Sequence, residues 1–209
     1  MSKLEKIFEI LRENGLIKDN LDVLNVYSYG SHVYGTAGEH SDEDYIVVMK
    51  SAFLPSGAFR QNAISSQDKK IQLVVYSRTG FLDAINNFEM SAIECLFLPE
   101  EKILLKKWNF SIQKWDEKNL VKNIISKSSN SWMIADRQSK EKMKSIAKKG
   151  IFHSLRILDF GIQMKNNKKI VDFSSSNVIL KYLHDIPDEQ FDTRNYITIR
   201  DKLMKELRG

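Results

Sequence analysis

Gly30-Ser31-His32-Val33-Tyr34-Gly35-Thr36-Ala37-Gly38-Glu39-His40-Ser41-Asp42-Glu43-Asp44 is the stretch that decides the fold, and the apolar run Tyr45-Ile46-Val47-Val48-Met49 follows it. Before it, Val23 to Tyr29 reads as a strand, so the quoted stretch links two strands through a Gly-Ser turn. Side chains alternate faces along a strand, which puts Asp42 and Asp44 on one face and Glu43 on the other. Magnesium takes hard oxygen ligands, usually one or two carboxylates with water and phosphate oxygens completing the shell. Gly30 permits a sharp turn and close backbone approach, and Ser31 offers a hydroxyl and amides suited to phosphate. The two halves suit one ligand, a metal-bound triphosphate.

Working outward, Leu4, Ile7, Phe8 and Leu11 recur at helical spacing, with Gly15 as the stop. Ser51 to Asp68 is polar and rich in turn residues, and reads as a long loop with a short strand around Ala58 to Ile64. Ile71 to Tyr76 is a strand, the stretch around Phe81 to Ile85 and Ser91 to Phe97 are short helices, and Lys102 to Leu105 is an edge strand. Beyond Ser111 long helical segments take over: Leu120 towards Gln138, Ile146 to Ile162, Val178 to Leu183 and Tyr196 to Leu207. Lys169 to Phe173 reads as a small strand, and Asp136-Arg137 as a local ion pair. The expected architecture is α+β, a mixed sheet flanked by helices over 1–108 followed by a mainly helical domain over 109–209.

With 209 residues, 42% hydrophobic and 28% charged, the chain can bury a substantial core and lacks the composition of a disordered protein. The net charge of +5 favours anionic ligands without deciding between them. A single cysteine, Cys95, excludes an internal disulfide and a cysteine cluster for zinc. Met1 to Arg12 lacks the apolar core of a signal peptide, and no apolar run is long enough to span a bilayer. The expected location is cytoplasmic, with no membrane partner.

The pattern Gly30-Ser31, Gly35-Thr36 and Ser41-Asp42-Glu43-Asp44 resembles the signature of the DNA polymerase beta-type nucleotidyltransferase superfamily. More narrowly, it is similar to predicted nucleotidyltransferases associated with RNA repair, whose later landmarks have counterparts in Tyr76-Ser77, Phe81-Leu82, Ala92 to Phe97 and Lys149-x-x-x-His153-x-x-Arg156. The resemblance runs over about residues 22 to 165. It implies a polymerase beta-like core that transfers a nucleoside monophosphate from a nucleoside triphosphate to a hydroxyl, with release of pyrophosphate. Asp42 and Asp44 would hold Mg2+ or Mn2+, and Gly30 and Ser31 would receive the nucleotide. Lys149, His153 and Arg156, which share a helix face, would meet its phosphates or ribose. The acceptor it suggests is an RNA end, with a protein or small-molecule hydroxyl left open.

The superfamily places a third acid on a neighbouring strand as base for the attacking hydroxyl. Matching Tyr76-Ser77 and Phe81 to the pattern puts that position at Gln72. A glutamine amide is neutral and takes no proton, whereas general-base help is worth roughly 100-fold to 10,000-fold in rate. Asp68 and Glu94 are the candidate substitutes, with Glu94 fitting structural support better than metal ligation. Two rival readings follow: a catalytically weakened protein that binds nucleotide or RNA, and an antitoxin-like regulator whose helical half meets a protein partner. The lysines at 140, 142, 144, 148 and 149 read as a basic helix surface that nucleic acid could meet.

Overall fold

The computed structural model describes residues 1–50 and 60–209, so the first half of the stretch read as the 51–68 loop lies outside the described residues. The chain divides into two compact units, Met1–Trp115 and Asp116–Gly209.

The first unit is built on a five-stranded sheet. Helix α1 (Lys3–Glu13) opens it, started by a capping box in which Ser2 and Glu5 satisfy each other's exposed amides. Then come β1 (Val23–Tyr29), the one-turn helix α2 (Ser31–Tyr34), β2 (Glu43–Met49), β3 (Arg60–Ser65) and β4 (Ile71–Ser77). Helices α3 (Arg78–Asn86) and α4 (Met90–Leu96) and the strand β5 (Ile103–Lys106) complete it. The order across the sheet is β3-β4-β2-β1-β5, with β2 and β4 parallel and every other pair antiparallel.

Burial explains the centre of this sheet. Tyr45 to Met49 are all buried, as expected of a strand covered on both faces. Ile7, Phe8, Ile10 and Leu11 of α1 pack on the face carrying Val26, Tyr45, Val47, Leu73 and Val75. On the other face the Phe81 ring stacks on Tyr27 and meets Tyr76 edge-on, which seats α3. The fully buried Asn25 ties β1 to the chain beyond β5, accepting from the Lys107 and Trp108 amides and donating to the Trp108 carbonyl. A buried amide survives there because it is hydrogen-bonded at both ends.

The second unit is helical: α5 (Glu117–Lys140), α6 (Lys144–Asn167), α7 (Asn177–Asp185) and α8 (Ile197–Arg208). Helices α5 and α6 run antiparallel, since Ala135 faces Gly150, Ser128 bonds Ser154 at 2.9 Å, and Ile124 faces Gly161. The expected strand at Lys169 to Phe173 is absent. The Gln163 side chain takes up the backbone instead, accepting from the Val171 and Asp172 amides and donating to the Asp172 carbonyl. With those groups satisfied by one side chain, the segment needs no ladder partner. Asp136 pairs with Lys140 one turn on, at 2.6 Å, rather than with Arg137, because adjacent helical residues diverge while i and i+4 converge.

The lysine-rich segment is not a single surface. Lys148 is buried, bonded to the Ile186 carbonyl and to Asp188 Oδ1, and Lys144 bonds Ser139 and the Phe191 carbonyl. These cations staple α6 to the segments following α7.

A Cβ added at Gly161 would lie 2.5 Å from Ile124 Cγ2. Gly161→Ala is expected to lower stability by about 1–3 kcal/mol, through overpacking of the α5–α6 contact. Ile124→Ala combined with it should recover part of that loss; thermal or urea unfolding of the single and double variants reads both.

Candidate active site

The acidic corner lies at the N-terminal ends of β2 and β4. Asp44 pairs in register with Gln72 on the parallel β4 and with Tyr29 on the antiparallel β1. Neighbouring residues across a ladder share a face, so Asp42, Asp44 and Gln72 stand together. Gln72 Nε2 donates to Asp42 Oδ2 at 3.1 Å. Glu43, on the opposite face, accepts from Lys3 Nζ at 2.8 Å and from the Tyr45 hydroxyl.

Gly30 follows β1 directly and sits against this corner. Its φ of 72° and ψ of −149° belong to a region essentially reserved for glycine, and a Cβ there would lie 2.3 Å from Asp44 Oδ2. The chain therefore passes Asp44 at a distance only a glycine allows. Ser31 starts α2, which Gly35 closes in the left-handed conformation at φ 72°. Gly30 and Asp44 thus meet in space, with Ser31 next in the chain and Asp42 two residues before Asp44. The lower turn is fixed by Ser41, whose Oγ accepts from the Gly38 amide at 2.9 Å.

The electrostatics follow from this crowding. Burial raises the Asp44 carboxyl above its ordinary value, the Asp42 charge adds to the rise, and His32 offsets part of it. Burial also opposes ionisation of Glu43, but the bonds from Lys3 and Tyr45 outweigh it and hold that group below the usual range. Two carboxylates on one face, one of them made reluctant to ionise by burial and then by the other, form a donor set that a hard divalent cation would relieve. The Asp44 carboxylate itself fills the space where a side chain at position 30 would otherwise stand. The residues present fit a magnesium-bound polyphosphate. Among the described residues no group of three or more His, Cys, Asp or Glu side chains is placed to hold a metal.

The alternatives for the third acid are engaged elsewhere. Glu94 is 1% exposed and accepts from the Tyr34 hydroxyl at 2.6 Å, which anchors α2 to α4. Tyr34 is thereby a buried structural residue. Asp68 folds back into the β3–β4 turn, accepting from the Ser66 hydroxyl and the Lys70 amide. The sequence reading overlooked Lys102, whose Nζ donates to the His32 carbonyl at 2.9 Å and holds the turn helix. No local pattern announces a contact made across so many residues.

Lys149, His153 and Arg156 all lie on α6 in the second unit. Lys149 is exposed, whereas Arg156 is 4% exposed, with the Phe152 and Phe160 rings within 6 Å of its guanidinium. Arg156 bonds His153 Nδ1 at 2.8 Å. A guanidinium only donates, so Nδ1 is the acceptor and the ring proton sits on Nε2. Burial, then the charges of Arg156 and Lys127, push His153 down to about 3, so the imidazole is neutral near pH 7.

No family model matches the sequence, and no curated protein matches it. Among solved structures, the chain is similar to spectinomycin adenyltransferase AAD(9) from Enterococcus faecialis, crystallised with ATP and spectinomycin. The likeness covers 99% of this chain and 98% of that one, at 12% identity and a TM-score of 0.52. The fold is that of a nucleotidyltransferase. A nucleotidyltransferase-like protein from Exiguobacterium sibiricum is also similar, over 99% of this chain and 74% of that one, at 8% identity and a TM-score of 0.37. Among the described residues of this nucleotidyltransferase fold, no helix is long and apolar enough to cross a membrane.

Gly30→Ala is expected to cost about 1–3 kcal/mol of stability, from backbone strain and from the clash with Asp44. In an Asp44→Ala background the clash disappears and the strain stays, so a double-mutant cycle by urea unfolding should show a smaller loss. A second test uses pH. A depressed folded-state value means that the contribution of His153 is complete above its unfolded value of 6.5 and is lost as pH falls towards 3. The stability of His153→Gln relative to wild type should therefore rise as pH drops below 6.5, by up to ~1.4 kcal/mol per pH unit; a pH-independent difference would contradict a neutral buried ring.

Proposed function

We propose that this protein is a metal-dependent nucleotidyltransferase that moves a nucleoside monophosphate from a nucleoside triphosphate to a hydroxyl, releasing pyrophosphate. The observation that carries this reading is the close approach of Gly30 to Asp44, which excludes any side chain from position 30, with Ser31 next in the chain and Asp42 two residues before Asp44. Asp42 and Asp44 would hold the divalent cation, Mg2+ or Mn2+, which when bound neutralises charge on the phosphates and supplies Lewis-acid help. Gly30 lets the backbone come close to the nucleotide, and Ser31 at the start of α2 offers it an amide and a hydroxyl. Gln72 fixes the Asp42 carboxylate by donating to it. On α6, Lys149 is exposed, and Arg156 sets the tautomer of His153 so that Nε2 can donate.

ATP and a small hydroxylated molecule are the first substrates to test. The similar adenyltransferase was crystallised with ATP and spectinomycin, and the likeness runs the full length of both chains. An RNA end and a protein hydroxyl are the further acceptors. Gln72 favours a second reading, a nucleotide-binding protein with little turnover, because no carboxylate stands at that position to take the acceptor's proton.

Incubation with α-labelled ATP, magnesium and pools of aminocyclitols, RNA and protein separates these readings. Transfer of label with pyrophosphate release, reduced at least about 100-fold by Asp42→Ala or Asp44→Ala, is the expected result. Saturable binding without transfer would instead establish the binding protein, and label incorporation indifferent to both aspartates would place the chemistry elsewhere.

A further inference from the structure

The Gln72 amide does more than vacate a carboxylate position. An ionised carboxylate only accepts hydrogen bonds, so its contact with Asp42 Oδ2 turns the NH2 end of the amide, not its oxygen, towards the acidic corner. A cation approaching Asp42 from the β4 side would meet N–H dipoles with their positive ends forward. A carboxylate at position 72 would have the opposite effect. Three like charges packed on one sheet face repel one another, and a second cation among them would relieve the repulsion. Here an N–H···O bond already performs that service for Asp42, with no ion.

Three other acids of this unit are turned away or engaged elsewhere. Glu43 points to the other face, where Lys3 and Tyr45 hold it. Glu94 is buried on Tyr34, and Asp68 is folded into its hairpin.

We infer that Gln72 stands in for a second divalent cation, so that this site takes one metal ion with its nucleotide, held by Asp42 and Asp44, rather than a pair. The inference rests on the reading of Asp42 and Asp44 as the metal-holding residues. Gln72 is then a positioning residue: it occupies Oδ2 of Asp42 and leaves the other oxygen to the ion.

The test counts ions without relying on turnover. The intact chain is titrated with Mn2+ in the presence of an ATP analogue that cannot be cleaved between the α- and β-phosphates, with free Mn2+ followed by electron paramagnetic resonance. Wild type should bind one Mn2+ per chain and show no signal from a coupled pair. Gln72→Glu should bind two, with the spectrum of a spin-coupled pair, and Gln72→Leu should stay at one; thermal melts check that each variant is folded. Two ions on wild type would overturn the role given to Gln72 while leaving the metal-dependent reading intact. A single ion on a folded Gln72→Glu would also overturn it. No ion bound by wild type, with or without the analogue, would remove both. Should Gln72→Glu not fold, the wild-type count decides alone.

Discussion

A missing methyl group makes the acidic corner possible. Where the chain leaves β1 at Gly30, it passes Asp44 so closely that any Cβ would fall 2.3 Å from a carboxylate oxygen. That approach sets the height of the Ser31 turn over the strand ends. It depends on a backbone conformation that only glycine adopts at low cost. The surrounding structure stabilises it: Tyr34 is anchored on Glu94, Lys102 holds the His32 carbonyl, and Gly35 closes the short helix. The turn is thus held from α4, from Lys102 and by its own closing glycine.

The sheet supplies the other constraint. Parallel pairing of β2 with β4 puts Gln72 beside Asp44, and a slip of one residue would turn it to the α1 face. Register is pinned by burial on both sides: Val47, Leu73 and Val75 face α1, while Tyr76 packs against Phe81. Hydrophobic packing some distance from the acids therefore decides which side chain stands next to them. The second unit uses different means. Glycines at 150 and 161 let α5 and α6 approach closely, and buried polar staples from Lys148 and Gln163 replace extended pairing.

Much of this was legible in local pattern. The alternation around Asp42 and Asp44, the continuous apolar run after them and the helical periodicity of α1, α5 and α6 are consequences of short-range geometry, which sequence spacing reports directly. Two readings failed where long-range contacts decided the outcome. The segment at 169–173 has strand-like composition, but Gln163 had already satisfied its backbone. The run of lysines after 140 looks like one basic surface, and folding buries one of its members against Asp188.

The sequence by itself determined the strand–turn–strand unit, the shared face of Asp42 and Asp44, and the neutral residue at position 72, because each depends on residue type and on backbone periodicity over a few positions. Only the tertiary structure decided that Gln72 bonds Asp42, that Glu94 and Asp68 are taken up elsewhere, and that Arg156 is buried against aromatic rings beside His153. Those outcomes hinge on which groups meet across the fold. Hydrogen-bond partners and desolvation are properties of a place in space, and a linear pattern carries no record of them.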